Sequence, residues 1–175
     1  MKTTYRNHAT RISQIIDTWY KLSPENIYII TDAFDPQLNQ TIYEHLITTN
    51  CGSNHDPGSL KCKLNQELWV MLKRNASWSC HVDDDNYVNI PKLEELLKEF
   101  DPRIPYYLGR TATQNPTEIN GRTFWFAIGG TAVCISNAAL KMMEPIIISE
   151  EKYHKYTSHD KLADDMAIGY IMGFS

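Results

Sequence analysis

Apolar positions fall into two rhythms that alternate along the chain. Ile12, Ile15, Ile16, Trp19 and Tyr20 recur at helical spacing, so residues 8–21 are predicted to form an amphipathic helix ended near Ser23-Pro24. Residues 26–32 follow as a short, continuous apolar run that suits a buried parallel strand, with a weaker strand at 45–49. Leu64, Leu68, Met71 and Leu72 mark a helix over 61–74, and residues 78–82 read as a strand running into Asp83-Asp84-Asp85. Pro91 sits where a first-turn proline belongs, with Leu93, Leu96, Leu97 and Phe100 giving that helix its face. Residues 104–109, 123–128 and 132–136 are further strand candidates, a helix is predicted over 137–143, and residues 164–175 read as a helix still running. The alternation predicts an α/β sandwich around a largely parallel sheet. Neither an internal repeat nor a linker interrupts it, so residues 1–175 read as one domain.

Composition narrows the classes. The 175 residues are 42% hydrophobic and 22% charged, the balance of a globular domain, and contain no apolar run of the roughly 18 residues a membrane span requires. A net charge of −4 means that no phosphate-neutralising surface for nucleic acid is written into the composition. Lys2, Arg6, Arg11 and Asp17 interrupt any apolar h-region, so neither a signal peptide nor an anchor is expected within the chain. Asn39 and Asn75 each begin an N-x-S/T sequon and are glycosylation candidates, whereas Pro116 blocks the one at Asn115. Of the four cysteines, Cys51 and Cys62 flank a polar stretch that reads as a loop, while Cys80 and Cys134 fall in apolar, strand-like runs. Four cysteines permit three pairings, and four reduced thiols buried as small hydrophobes are the competing reading.

Two acidic elements lie at strand ends, where open α/β sheets bind their ligands. Thr31-Asp32 follows the first strand and Asp83-Asp84-Asp85 the central one. Three consecutive carboxylates repel one another unless a cation neutralises them, and a hard divalent ion completed by a diphosphate is suited to that. A solvated acidic loop is the plainer reading of the triplet, and first-turn acids complementing a helix dipole is that of Asp164-Asp165.

The flanking residues add a resemblance. Trp78-x-Cys80-His81-Val82-Asp83-Asp84-Asp85-Asn86-Tyr87-Val88-Asn89 resembles the donor-binding signature of the Fringe glycosyltransferases. The rest of the chain follows in the family's order. Arg11-Ile12 and Thr18-Trp19 resemble its first helix, Ile30-Thr31-Asp32 its first strand end, and Asn50-Cys51 to Cys62-Lys63 its disulfide-closed loop. Tyr107-Leu108-Gly109-Arg110, Phe124-Trp125-Phe126-Ala127 with Gly129-Gly130, Cys134-Ile135-Ser136 and Asp164-Asp165-Met166 with Ile168-Gly169-Tyr170-Ile171 complete the series.

The resemblance implies a Rossmann-like, GT-A type nucleotide-sugar fold and an inverting transferase. Such an enzyme moves N-acetylglucosamine from UDP-N-acetylglucosamine, in β-1,3 linkage, to O-linked fucose on epidermal-growth-factor-like repeats of Notch-type glycoproteins. It implies Mn²⁺ as cofactor, with Asp85 and Asp84 at the metal, and Asp83 and Asp84 toward the nucleotide and ribose. Arg11, Thr31 and Asp32 then line the uridine site, Trp125, Gly129 and Gly130 shape the sugar pocket, and Asp165 is the general base. The same resemblance pairs Cys51 with Cys62 and Cys80 with Cys134, and places the domain in the Golgi lumen, held in full-length relatives by a type II anchor. The family pattern runs on past the Ile-Gly-Tyr-Ile helix to a metal-ligating histidine, so the resemblance implies either a fragment of a longer enzyme or a shortened relative with weakened metal and diphosphate binding. Ala163 stands where the family has proline, Thr131-Ala132-Val133 replaces an Ala-Gly-Phe segment, and Thr111-Ala112 replaces Pro-Ser. Two other functions remain open: a β-1,3-glycosyltransferase with a different donor or acceptor, and a non-catalytic binding domain.

Overall fold

The computed structural model describes residues 1–173. Strands β1 (Ile29–Thr31) and β2 (Leu46–Thr48) pair in parallel, Ile30 opposite Ile47. Strands β3 (Trp78–His81), β4 (Tyr107–Leu108) and β7 (Val133–Ser136) form a second sheet in the order β3-β7-β4, with β7 antiparallel to both neighbours. The first three residues stitch the two together. Lys2 forms parallel bridges to Ile30 on one side and Asp83 on the other, and Thr3 N donates to Ile30 O at 2.8 Å.

A largely parallel sheet is therefore not what forms. The architecture is mixed α/β with small sheets, parallel only from β2 through the N-terminal residues to β3. All four residues of β7 are buried, and a strand covered on both faces reads as a continuous apolar run whichever way it points. Strands β5 (Thr117–Ile119) and β6 (Arg122–Phe124) make a hairpin through Asn120 and Gly121, whose φ values of 55° and 70° are those of a type I′ turn. The strand expected over 123–128 is accordingly split. Its later half pairs instead with the segment after β4, with Ala112 N donating to Phe126 O at 3.1 Å and Ile128 N to Arg110 O at 2.9 Å.

The first helical region is broken into short pieces, a π-type turn over His8–Ile12, α1 (Ser13–Asp17) and a 3₁₀ turn over Trp19–Leu22. The Thr18 hydroxyl donates to Gln14 O at 2.7 Å, a back-bond that competes with helix continuation. Asp35 caps α2 (Pro36–Ile42) by accepting from Gln37 N and Leu38 N, a helix absent from the sequence-based expectation. Helix α3 (Pro57–Arg74) starts four residues before its expected onset because Asp56 caps it and Pro57 fits its first turn. Helix α4 spans Ile90–Leu97, α5 (Asn137–Ile147) runs on through Pro145, and α6 (Glu150–Thr157) is capped by Ser149. Helix α7 (Asp164–Met172) ends at Gly173, and the expected extension over Phe174 and Ser175 lies outside the described residues. No helix among the described residues is long and apolar enough to cross a membrane.

Both disulfides implied by the resemblance are formed. Cys51–Cys62 ties the segment after β2 into α3, so half of the expected loop is helical, and Cys80–Cys134 joins directly opposed residues of β3 and β7. One apolar cluster packs α3, α5, α6 and α7 around β7, with Leu68, Ile135, Leu140 and Met143 fully buried. A second gathers Ile12, Trp19, Ile29 and Val82 beneath the N-terminal turns.

Helix α7 is pressed onto residues 124–129 through small side chains. A Cβ on Gly169 would stand 2.2 Å from the Trp125 carbonyl oxygen and 2.8 Å from Phe126 Cβ. Gly169→Ala is therefore expected to lower stability by about 1–3 kcal/mol, the range for overpacking a tight contact, measured by urea unfolding. An unchanged midpoint would show that the helix and the 124–129 segment separate freely.

Candidate active site

The three aspartates after β3 have different fates. Asp84 is 8% exposed, and its carboxylate is fully engaged: Oδ2 accepts from Thr3 Oγ1 at 2.6 Å and Asn7 Nδ2 at 2.7 Å, and Oδ1 from Arg11 Nη1 at 2.6 Å. It ties the first helical turns to the aspartate turn. Asp85 points outward with 60% of its side chain exposed, 3.8 Å from the same Arg11 nitrogen. Asp83 faces inward, 3.4 Å from Lys2 Nζ and 3.6 Å from His81 Nε2. Burial pushes the Asp83 carboxyl above its ordinary value, against the pull of Lys2 and His81.

Lys2 is the hinge of the site. It is 8% exposed and pairs with Asp164, the first residue of α7, as well as with Asp83. Burial opposes its charge, yet Asp164, Asp83 and Glu67 together hold its proton above the usual lysine range. Glu67 is buried on α3, where it accepts from His81 Nδ1 at 2.8 Å and pairs with the chain's amino group at 2.9 Å. Although burial works against ionisation, His81 and that ammonium keep Glu67 far below the carboxylate range. Polar contacts thus run unbroken from Glu67 in the core through His81, Asp83 and Lys2 to Asp164.

Asp165 stands beside that chain. The Gly129 amide donates to its Oδ2 at 3.5 Å, and a Cβ on Gly129 would come within 3.0 Å of Asp165 Cβ, so the glycine permits the approach. Burial, and then the charge of Asp164, raise the Asp165 carboxyl above its ordinary value and make it a better proton acceptor. Asn86, with its amide turned to satisfy both neighbours, donates to Gly130 O at 3.0 Å and accepts from Asp83 N at 3.3 Å. The aspartate turn, the Gly129-Gly130 corner and the start of α7 therefore meet at one place.

The remaining expected residues are placed less uniformly. Arg11 joins the aspartates directly. Thr31 is fully buried, its hydroxyl 2.8 Å from His8 Nε2, while His8 Nδ1 lies 3.1 Å from Asp35. Asp32 is closed into a buried pair with Lys63, and burial is outweighed by Lys63, the Thr4 hydroxyl and the Tyr5 amide, which lower its carboxyl. Trp125 is 47% exposed and lines a separate cleft with residues 110–114, a cleft without acidic residues. Asn75 is exposed at the end of α3 and Asn39 half-buried within α2. A cavity of 740 Å³ opens between α3 and α4 among Trp19, Val82, Leu93 and Phe100, and none of these aspartates lines it. Lys2 and Glu67 carry no motif signal, and Lys63 enters only as the end of the cysteine loop, because each acts through partners distant in sequence.

A divalent cation takes about six oxygen ligands, and the described residues assemble no group of three His, Cys, Asp or Glu around one point. With Asp84 spent and Asp83 held by Lys2, Asp85 is the carboxylate left open to solvent. That donor set fits an ion held largely by a diphosphate and water, anchored by one protein carboxylate.

The sequence profile of the Fringe-like family matches residues 1–174. The chain is 37% identical to the Fringe glycosyltransferase of Drosophila melanogaster, over 98% of this chain and 44% of that protein. It is 35% identical to the β-1,3-N-acetylglucosaminyltransferase lunatic fringe of Danio rerio, over 98% of this chain and 48% of the relative. Against the human β-1,3-N-acetylglucosaminyltransferase manic fringe the identity is 34%, over 98% and 56%. The chain thus spans about half the length of the curated relatives it matches.

Proposed function

Because the chain belongs to the Fringe-like family, we propose that it carries the donor site and general base of a β-1,3-N-acetylglucosaminyltransferase of GT-A type. The observation that supports this best is the meeting of two acidic motifs, Asp83-Asp84-Asp85 and Asp164-Asp165, across the single ammonium of Lys2. In this reading UDP-N-acetylglucosamine lies over the aspartate turn, with Arg11 and Asp32 toward the uridine and Gly129-Gly130 beneath the sugar. Asp85 holds Mn²⁺, which supplies charge stabilisation to the departing diphosphate when bound. Asp165 accepts the proton of the acceptor hydroxyl as that oxygen bonds to the anomeric carbon and UDP leaves with the electron pair of the broken bond. O-linked fucose on epidermal-growth-factor-like repeats of Notch-type glycoproteins is the proposed acceptor. The Golgi lumen is the proposed compartment, an oxidising setting in which both disulfides persist.

Calorimetry of UDP-N-acetylglucosamine with this chain tests the donor site. Binding is expected to require Mn²⁺ and to weaken by tenfold or more in Asp85→Ala, whose exposed side chain supports no part of the core. Equal affinity in the variant, or equal affinity without metal, would overturn the metal assignment.

A further inference from the structure

Trp125 occupies a position that packing alone does not explain. Its neighbours Phe124 and Phe126 turn into the core, whereas its own side chain is 47% exposed. The indole lines a 560 Å³ cleft whose other walls are Arg110, Thr111, Ala112, Thr113 and Gln114. An exposed aromatic face rimmed by hydroxyl, amide and guanidinium groups, with no acid among them, matches a neutral sugar, whose ring has an apolar C–H face and a polar edge.

The location of the cleft assigns its occupant. Residues 125–130 run alongside α7, with the Trp125 carbonyl against Gly169 and Gly129 against Asp165. Asp165 and Gly169 are four residues apart on one helix, a rise of about 6 Å, close to the width of one sugar ring. At the opposite end of the same segment, Gly130 is bonded to Asn86 of the aspartate turn. Along this segment the base therefore stands between the aspartate turn and the Trp125 backbone, and a base that deprotonates the attacking hydroxyl belongs between donor and acceptor.

Resting on the donor reading above, we propose that Trp125 and residues 110–114 form the platform that receives the acceptor's monosaccharide. The ring stacks its C–H face on the indole, and Arg110, Thr111 and Gln114 are placed to bond its hydroxyls. Pairing of residues 110–112 with 126–128 holds the cleft's polar wall in register with the indole.

The test follows the Trp125 indole N–H by ¹H–¹⁵N NMR, its resonance assigned with Trp125→Phe. Methyl α-L-fucoside is titrated with and without UDP and Mn²⁺, and UDP with Mn²⁺ is titrated alone. The sugar is expected to shift that resonance saturably, and Trp125→Ala and Gln114→Ala to weaken it by about tenfold or more, while UDP affinity stays unchanged. Circular dichroism confirms that the variants remain folded. A sugar that leaves the resonance unmoved in both conditions would overturn the platform. So would a resonance moved by UDP and not by the sugar, which would put Trp125 on the donor side. Failure of UDP to bind the wild-type chain would instead count against the donor reading, and the sugar titration would still decide the platform.

Discussion

Lys2→Met is expected to lower the free energy of unfolding by about 3 kcal/mol near neutral pH, and by much less near pH 4. Methionine approximates the lysine stem, so the packing of a side chain that is 8% exposed is largely kept. What is lost is the charge shared by Asp83 and Asp164, two partly buried carboxylates that would then face each other without the ammonium between them. Burial already holds the Asp83 carboxyl above its ordinary value, and Lys2 is first among the groups that pull it back. Without Lys2 that value rises further. A carboxyl whose folded value exceeds its unfolded one costs stability where it is ionised and stops doing so where it is protonated. The penalty must therefore be full at neutral pH and fade as pH falls through the carboxylate range. Urea unfolding of both proteins at the two pH values measures it. A penalty that does not change with pH would mean that the lysine contributes packing and that its charge is immaterial.

Legibility in the sequence follows the range of the interaction. Local signals translate directly where the apolar rhythm carries them: the helix expected from residue 137 starts there as α5 and the apolar run before Asp32 becomes β1, whereas Asp56-Pro57 starts α3 four residues ahead of the onset that the apolar spacing predicts. Asn120-Gly121 and Asp35-Pro36 carry equally local signals, for the β5–β6 hairpin and for α2, which the apolar rhythm passes over because neither flank is strongly periodic. Strand direction is not local. The burial of Val133, Cys134, Ile135 and Ser136 says that β7 is central, and only the register of Cys80 opposite Cys134 shows that it runs against β3.

The candidate site divides along the same line. The aspartate triplet and the Asp164-Asp165 pair can be found as motifs, since neighbours in sequence carry them. The division of labour among them cannot, because it is set by distant partners. Asp84 is spent on Thr3, Asn7 and Arg11, Asp83 on Lys2, and Asp85 is left to solvent. The same holds for Thr31, a strand-end residue whose hydroxyl is turned inward to His8.

Asp165→Asn is expected to leave UDP-N-acetylglucosamine binding intact and to cut transfer to a fucosyl acceptor by about 10²–10⁴-fold, the range for loss of a positioned general base. Asparagine keeps an oxygen for the 3.5 Å contact with the Gly129 amide, so the Gly129-Gly130 corner has no reason to move. It cannot accept the hydroxyl proton. The wild-type rate should also fall on the acid side as Asp165 takes up its proton. Because burial and Asp164 raise that carboxyl, the fall begins at a higher pH than an ordinary aspartate would give. Lys2 lowers the same carboxyl, so Lys2→Met should carry the acid limb to higher pH still. Steady-state transfer rates across pH for the wild-type chain and both variants, beside calorimetric UDP affinities, separate the roles. Full transfer by Asp165→Asn would remove this residue as the base, and an acid limb unmoved by Lys2→Met would sever the electrostatic link between the two acidic motifs.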